Sequence, residues 1–205
     1  MVERRSQAER RAESRARLVE AAIELLATNG YARTSLVEIG KAAGTSRGLV
    51  IHHFGSKEAC MQAVVCHIRE AVAEEIRVPD ASGADGLNRA IDVFFDLLRK
   101  GHTESRAMYV ILIEGLTSTP GLRPSVAETN AFVRQTLVDI LLRDEPDATA
   151  GKRKAAETLA VIVEGLLRGV ALQWMADPDG VDLDAAVSLI KAIIVRETEI
   201  HELVS

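Results

Sequence analysis

The residues with the richest chemistry lie close together in Ala43 to Glu58, "AGTSRGLVIHHFGSKE": two adjacent histidines, an arginine, and a Gly-Ser-Lys that leads on to Cys60, Cys66 and His67. Three kinds of site use such residues. A metal site is the first. His52 and His53 are neighbours, so on a helix they point about 100° apart, whereas zinc-binding helices set histidines at i and i+4. Cys60, Cys66 and His67 add no ligand spacing, so no metal is expected. A phosphate loop is the second. It needs G-x-x-x-x-G-K-[ST] after a strand; here Gly48 and Gly55 have another spacing and Lys57 follows Ser56. The third is a surface for a long polyanion. Arg47 can reach a guanine or a phosphate, Thr45 and Ser46 stand at the start of a short helix, and Gly48 lets a backbone come close. Ser56 and Lys57 open the next helix, whose first amides suit a phosphate.

The elements that must hold these residues follow from apolar spacing. Residues 15–29 repeat Leu18, Ala22 and Leu25 at helical intervals, and Gly30 stops that helix. Ser35 and Glu38 form a capping box for a helix from about Leu36, which Gly44 ends. Thr45 or Ser46 caps a third helix to about His53, Gly55 ends it, and Ser56 caps a fourth. Two helices joined by a tight turn with a glycine are the sequence form of a helix-turn-helix, whose second member lies in a DNA major groove. Beyond it, helices are expected at about 57–77, 86–100, 103–117, 125–143, 151–176 and 183 onward. A second capping box, Ser125 with Glu128, opens the helix at 125, and Asp182 caps the last. The fold class is therefore all-α, with about nine helices.

The net charge of −5 hides an asymmetry. Residues 1–60 hold ten Lys/Arg and seven Asp/Glu, a balance of +3, and the remainder carries −8. A basic end on an acidic body suits a protein that grips nucleic acid at one end. No apolar run is long enough to span a membrane and the charged N-terminus lacks a signal-peptide core, so a cytoplasmic protein is expected. Cys60 and Cys66 on one helix stand about 9 Å apart, beyond the ~7 Å that a disulfide allows. They read as packing residues, with a redox-sensing thiol as the alternative. No spacing of nucleophile, base and orienting group supports an enzyme, and no cofactor is expected.

Thr34 to Glu58, "TSLVEIGKAAGTSRGLVIHHFGSKE", resembles the signature of the TetR family of bacterial transcriptional repressors, T-[TS]-x-x-x-I-A-x-x-A-G-[VT]-S-x-G-x-[LI]-Y-x-H-F-x-[SD]-K. The resemblance implies a helix-turn-helix from Ser35 to Phe54. It places DNA contacts at Thr34 and Ser35, base readout at Thr45, Ser46, Arg47, Gly48 and Leu49, and backbone contacts at His52, His53 and Lys57. For His52 and His53, packing within the helices is the competing role. Three positions depart from the pattern: Val50 stands where leucine or isoleucine is usual, Gly40 where alanine is usual, and Ile51 where the family has a tyrosine that commonly contacts a phosphate. Ile51 cannot make that hydrogen bond, and either packs inward or meets a thymine methyl. Gly40 slightly weakens its helix. The six arginines of residues 4–17 either reach the DNA backbone or a minor groove, or extend the first helix into solvent.

The resemblance divides the chain into a DNA-binding domain, 12–72, and an effector-binding and dimerisation domain, 73–205. It implies a homodimer on an inverted-repeat double-stranded operator, released by a small-molecule effector. The last two helices are the expected dimer interface, through Leu159, Val163, Leu166, Val170, Val187, Ile190 and Ile194. Gly165 and Gly169 allow close approach between copies or within the chain. Glu164 and Arg168 are expected to pair on the surface. Effector-pocket candidates are Phe94, Phe95, Met108, Tyr109, Ile113, Glu114, Phe132 and Trp174, each with plain core packing as its competing role. Glu114 stands out: it interrupts an apolar run, and its carboxylate needs an effector, Arg106 or a neighbouring helix as partner. The alternative function is a DNA-organising or activating helix-turn-helix protein with no effector.

Overall fold

The computed structural model describes residues 6–76 and 81–204. Among them are nine α-helices, one 3-10 turn and no strand: α1 Gln7–Arg33, α2 Leu36–Ala42, α3 Arg47–Phe54, α4 Lys57–Ile76, α5 Gly83–Lys100, α6 His102–Leu116, the 3-10 turn Pro120–Leu122, α7 Arg123–Leu141, α8 Ala150–Ala176 and α9 Leu183–Val204. The all-α expectation and the helix count agree with this. None of these helices is long and apolar enough to cross a membrane.

Local chemistry sets the boundaries. Ser6 begins α1 with a full capping box: its hydroxyl accepts from the Glu9 amide at 3.1 Å, and Glu9 accepts from the Ser6 amide at 2.7 Å. The basic N-terminal stretch is therefore a helical extension of α1 from Gln7 on, and Arg4 and Arg5 lie outside the described residues. Gly30 breaks α1 with φ of +73°, a backbone that side-chain-bearing residues rarely adopt. Two boundaries differ from expectation. The turn Pro120–Leu122 leads straight into α7 at Arg123, so Ser125 is its third residue and is buried instead of standing before the first turn. Pro124 causes no break there, because the first turn of a helix has no internal use for its N–H. Helix α5 starts at Gly83, three residues earlier than its apolar pattern, with Gly86 and Leu87 already buried.

The chain forms two compact units that do not follow chain order. The first takes the described residues up to Ala71 together with Gly101–Glu128. Its core gathers Leu18, Ala22 and Leu26 of α1 with Ile39, Val50, Met61 and Val64, and α1 packs along α6 (Ala107, Ile111). The second takes Val72–Lys100 and the described residues from Thr129 onward. There α5 (Leu87, Ile91, Phe95, Leu98) packs on α8 and α9. Burying each such side chain contributes about 1.5–3 kcal/mol, enough to fix helices whose isolated stability is marginal.

The second unit also holds an ion pair that corrects the sequence reading. Glu164 is buried, not at the surface. Arg134 of α7 donates to its Oε2 at 3.2 Å, and Arg168 Nη2 lies 2.8 Å from Oε1. Arg168 is itself held by Asn130, whose Oδ1 accepts at 2.8 Å. An i,i+4 surface pair is worth tenths of a kcal/mol; a buried carboxylate between two guanidinium groups is a tie between α7 and α8 whose disruption costs far more.

Candidate nucleic-acid interface

Helices α2 and α3 are short, and caps define both. The Ser35 hydroxyl accepts from the Glu38 amide at 3.2 Å, and the Ser46 hydroxyl accepts from the Leu49 amide at 3.3 Å. Gly44 between them has φ of +66°. The Thr45 amide then donates back to the Gly40 carbonyl at 2.8 Å, which folds the turn onto α2. Gly40 has a role here that the sequence reading missed. An added Cβ would lie 3.2 Å from Thr45 O, from the Ser46 carbonyl carbon and from Val50 Cγ2. The missing side chain lets α2 and α3 approach closely, which offsets its cost in helix propensity.

With Val50 buried against α2, the opposite side of α3 is left to solvent. Arg47, Gly48, Ile51 and His52 are all exposed there, at the i and i+4 spacing of one helical face. Ile51 is 39% accessible, which removes the inward-packing alternative. Thr45 and Leu49 are half-buried beside this face, and Ser46 is exposed at its start. The face has one fixed positive charge, one open backbone, one branched apolar side chain and one imidazole.

Three expected DNA contacts point elsewhere. Thr34 is wholly buried; its hydroxyl donates to the Gly30 carbonyl at 2.8 Å and its amide to the Tyr31 carbonyl at 3.1 Å, so it closes the end of α1. His53 is half-buried with Nε2 3.2 Å from Ser14 Oγ of α1, which assigns it to packing. Burial holds its pKa below the usual histidine value, and the charges of His52, Arg11 and Arg15 push the same way. Lys57 donates to the Tyr31 carbonyl and sits 3.8 Å from the centre of the Tyr31 ring, turned into the unit instead of outward. Burial lowers its pKa, against the fields of Glu114 and Glu58. Phe54 is half-buried, with the Arg15 guanidinium 5.4 Å from its ring centre. Burial raises the Cys60 thiol to about 12, which makes it a packing residue and a poor nucleophile. Among the described residues no group of three His, Cys, Asp or Glu converges as a metal site.

The effector candidates divide between the units. In the first, Tyr109 is buried, Met108 half-buried and Ile113 exposed. Glu114 already has its partner: Thr119 donates to Oε1 at 2.8 Å. In the second, Phe95 is plain core and meets Phe94 edge-on at 5.1 Å, while Phe132 is exposed and Trp174 half-buried.

Four of the seven dimer candidates need correction. Val163, Val187, Ile190 and Ile194 are buried within the chain's own second unit, and Leu159, Leu166 and Val170 are half-buried. The apolar side chains open to a partner are others: Val161, Ile162 and Leu172 on α8, Leu189 and Ile193 on α9. A groove of about 490 Å³ runs beside them, lined in part by Leu159, Ile162, Leu166 and Ile193. A Cβ added at Gly165 or Gly169 meets nothing in the chain. The signal for this second face was present in the sequence: α8 is apolar over more than one stripe, more than a single-sided helix requires.

Comparison with known proteins bears on the family and the fold. Residues 18–64 match the family model for bacterial regulatory proteins of the tetR family, and residues 83–199 match that for the C-terminal part of BetI-type transcriptional repressors. The HTH-type transcriptional regulator TtgR of Pseudomonas putida is 27% identical over 183 residues, covering 83% of this chain and 84% of that protein. UidR of Escherichia coli is 23% identical over 180 residues, covering 88% and 89%. Among solved structures, a transcriptional regulator from Rhodococcus sp. Rha1 superposes with a TM-score of 0.74 at 22% identity, over 90% of this chain and 97% of that one. The multidrug binding protein EbrR, complexed with ethidium, gives 0.69 at 22% identity, over 88% and 98%.

Proposed function

This chain belongs to the TetR family of bacterial regulatory proteins, and from that premise we propose that it is a homodimeric repressor that binds an inverted-repeat operator and is released by a small-molecule effector. It acts in the cytoplasm and without catalysis. The observation that carries the reading is the outward face of α3, four exposed residues on a helix anchored from behind by Val50 and by caps at both ends.

The face fits a major groove. Arg47 donates two hydrogen bonds to a guanine, the strongest single base contact available to it. Gly48 brings the helix backbone close to the base edges, and Ser46 and Ser35 lie at helix starts where amides favour a phosphate. Ile51 presents methyl groups to a thymine C5-methyl in place of the family's tyrosine. His52 meets the backbone, and the exposed Arg10 and Arg11 on the extended α1 add charge along it.

One such face binds weakly, and doubling it supplies affinity and a palindromic site. A second copy covers the exposed apolar faces of α8 and α9, where Gly165 and Gly169 leave room for its helices. The functional division falls near residue 72, with recognition before it and effector binding and dimerisation after it. The effector contacts the second unit, with Phe94, Phe132 and Trp174 as its aromatic surface. Release requires only a modest coupling, about 1–3 kcal/mol, to lower operator affinity some 5- to 150-fold.

Selection from random duplexes tests this reading. A single inverted repeat with half-sites about 34–36 Å apart, or a multiple of that, is the expected product. Enrichment of unrelated sequences would favour a DNA-organising role, and no enrichment would remove the DNA-binding reading.

A further inference from the structure

The expected phosphate contact that faces inward leads to a different role. Lys57 opens α4 directly after the helix-turn-helix, and its ammonium is held at the end of α1 by the Tyr31 carbonyl and ring. Burial raises the Tyr31 pKa, and Thr119 acts in the other direction on it. Thr119 donates to Glu114, and Glu114 is the carboxylate whose field, with that of Glu58, acts on Lys57. The Glu114 carbonyl also accepts the amides of Ser118 at 3.0 Å and Thr119 at 2.9 Å, so this residue fixes the corner where α6 ends. The 3-10 turn beyond that corner comes to the first turn of α4, where a Cβ on Gly121 would be 4.0 Å from Glu58 Cγ. Lys57 on Tyr31, and the 3-10 turn beside Glu58, therefore bring the end of α1, the start of α4 and the end of α6 together, all within the first unit.

We propose that Lys57 is a positioning residue, a latch that with Tyr31, Thr119 and Glu114 sets the helix-turn-helix against the α6 corner, and is not a phosphate-binding side chain. The latch acts at both flanks of α2–α3, so loosening it shifts the outward face of α3 without removing any group from it. A lysine that neutralised a phosphate would instead release a counterion on binding. The two roles differ in a measurable way, although both weaken DNA binding when lost. The inference rests on the operator-binding reading for its effect on affinity, and on geometry alone for the latch.

Two measurements on the full chain decide it. The first needs no DNA. Urea unfolding of the wild type, Lys57→Gln, Glu114→Gln and the double variant should be non-additive, because groups in one network couple. Additive shifts would overturn the latch. The second uses a duplex carrying the selected repeat, titrated across salt concentrations at a temperature where every variant is folded. Lys57→Gln should weaken binding roughly 5- to 20-fold, within the range of conformational couplings, with the wild-type slope of log K against log salt. A slope shallower by about 0.9 per protomer would make Lys57 a phosphate ligand and overturn the proposal. Glu114→Gln, which changes no residue of the outward α3 face, should also weaken binding at unchanged slope; wild-type affinity in that variant would contradict the latch. If the wild type binds no duplex, the operator reading fails, while the urea cycle still decides the latch.

Discussion

Two exposed faces among the described residues differ in chemistry. On α3 the outward residues are Arg47, Gly48, Ile51 and His52; on α8 and α9 they include Val161, Ile162, Leu172, Leu189 and Ile193. Each lies opposite a buried stripe of its own helix, so neither is needed to hold its unit together. The first is small and carries a fixed positive charge and an imidazole, suited to a partner that supplies phosphates and base edges. The second is apolar and continuous with a groove, suited to a partner that supplies more of the same. A face that folding does not require shows its partner's chemistry in its residue types. Here the proposed partners are a duplex and a second copy of the chain.

The comparison can be broken most strongly at the apolar face. Ile162→Glu with Leu189→Glu places charges on side chains already exposed, so the fold should survive while the dimer dissociates. Affinity for the inverted repeat should then fall about 100-fold or more, because the second half-site is no longer held at high effective concentration. Sedimentation alongside operator titration checks both halves, and a variant that remains a tight dimer would move the interface elsewhere.

At the polar face Arg47→Ala should cost about 1–3 kcal/mol and relax the preference at one operator base. Repeating the random-duplex selection with the variant reads both effects. A smaller effect sharpens the account of Ile51. Replacing its partner thymine by uracil removes one methyl, worth about 0.8 kcal/mol if fully buried. The wild type should lose roughly fourfold in affinity, and Ile51→Ala should not respond to the change. Equal losses in both proteins would remove the methyl contact.

How legible these faces were depended on the range of the forces involved. The caps of α2 and α3, the breaks at Gly30, Gly44 and Gly55, and the Asp182 cap (which accepts from the Ala185 amide at 2.9 Å) act within a few residues, so the sequence alone revealed them. Direction was less legible. Lys57 sits where a phosphate contact was expected, yet a long flexible stem lets its charge turn inward to Tyr31, and spacing says nothing about that choice. Thr34 looked like a contact because it begins the signature, but its hydroxyl serves the Gly30 carbonyl. On α8 the difficulty was an excess of signal. With apolar residues on more than one stripe, Val163, expected at the dimer interface, proved to be the chain's own core. Glu164 was misread because its second partner, Arg134, comes from another helix.

The smallest expected effect concerns stability. His53 is a half-buried imidazole with a pKa below its unfolded value. As pH falls below about 6.5, the unfolded chain takes up a proton first, so His53's contribution is complete above that pH and declines down to the lowered folded value. Urea midpoints measured from pH 7.5 to 5 should fall more steeply for the wild type than for His53→Gln. Parallel curves would contradict the packing role beside Ser14.

In the proposed complex two copies of one chain, joined through α8 and α9, present two α3 faces to one inverted repeat. The most direct test is the mass of the complex formed with a duplex carrying a single selected repeat, measured by sedimentation at rising protein concentration. Two chains per duplex, appearing together without a stable one-chain species, is the expected result. A one-to-one complex of full affinity, or no complex, would contradict the claim.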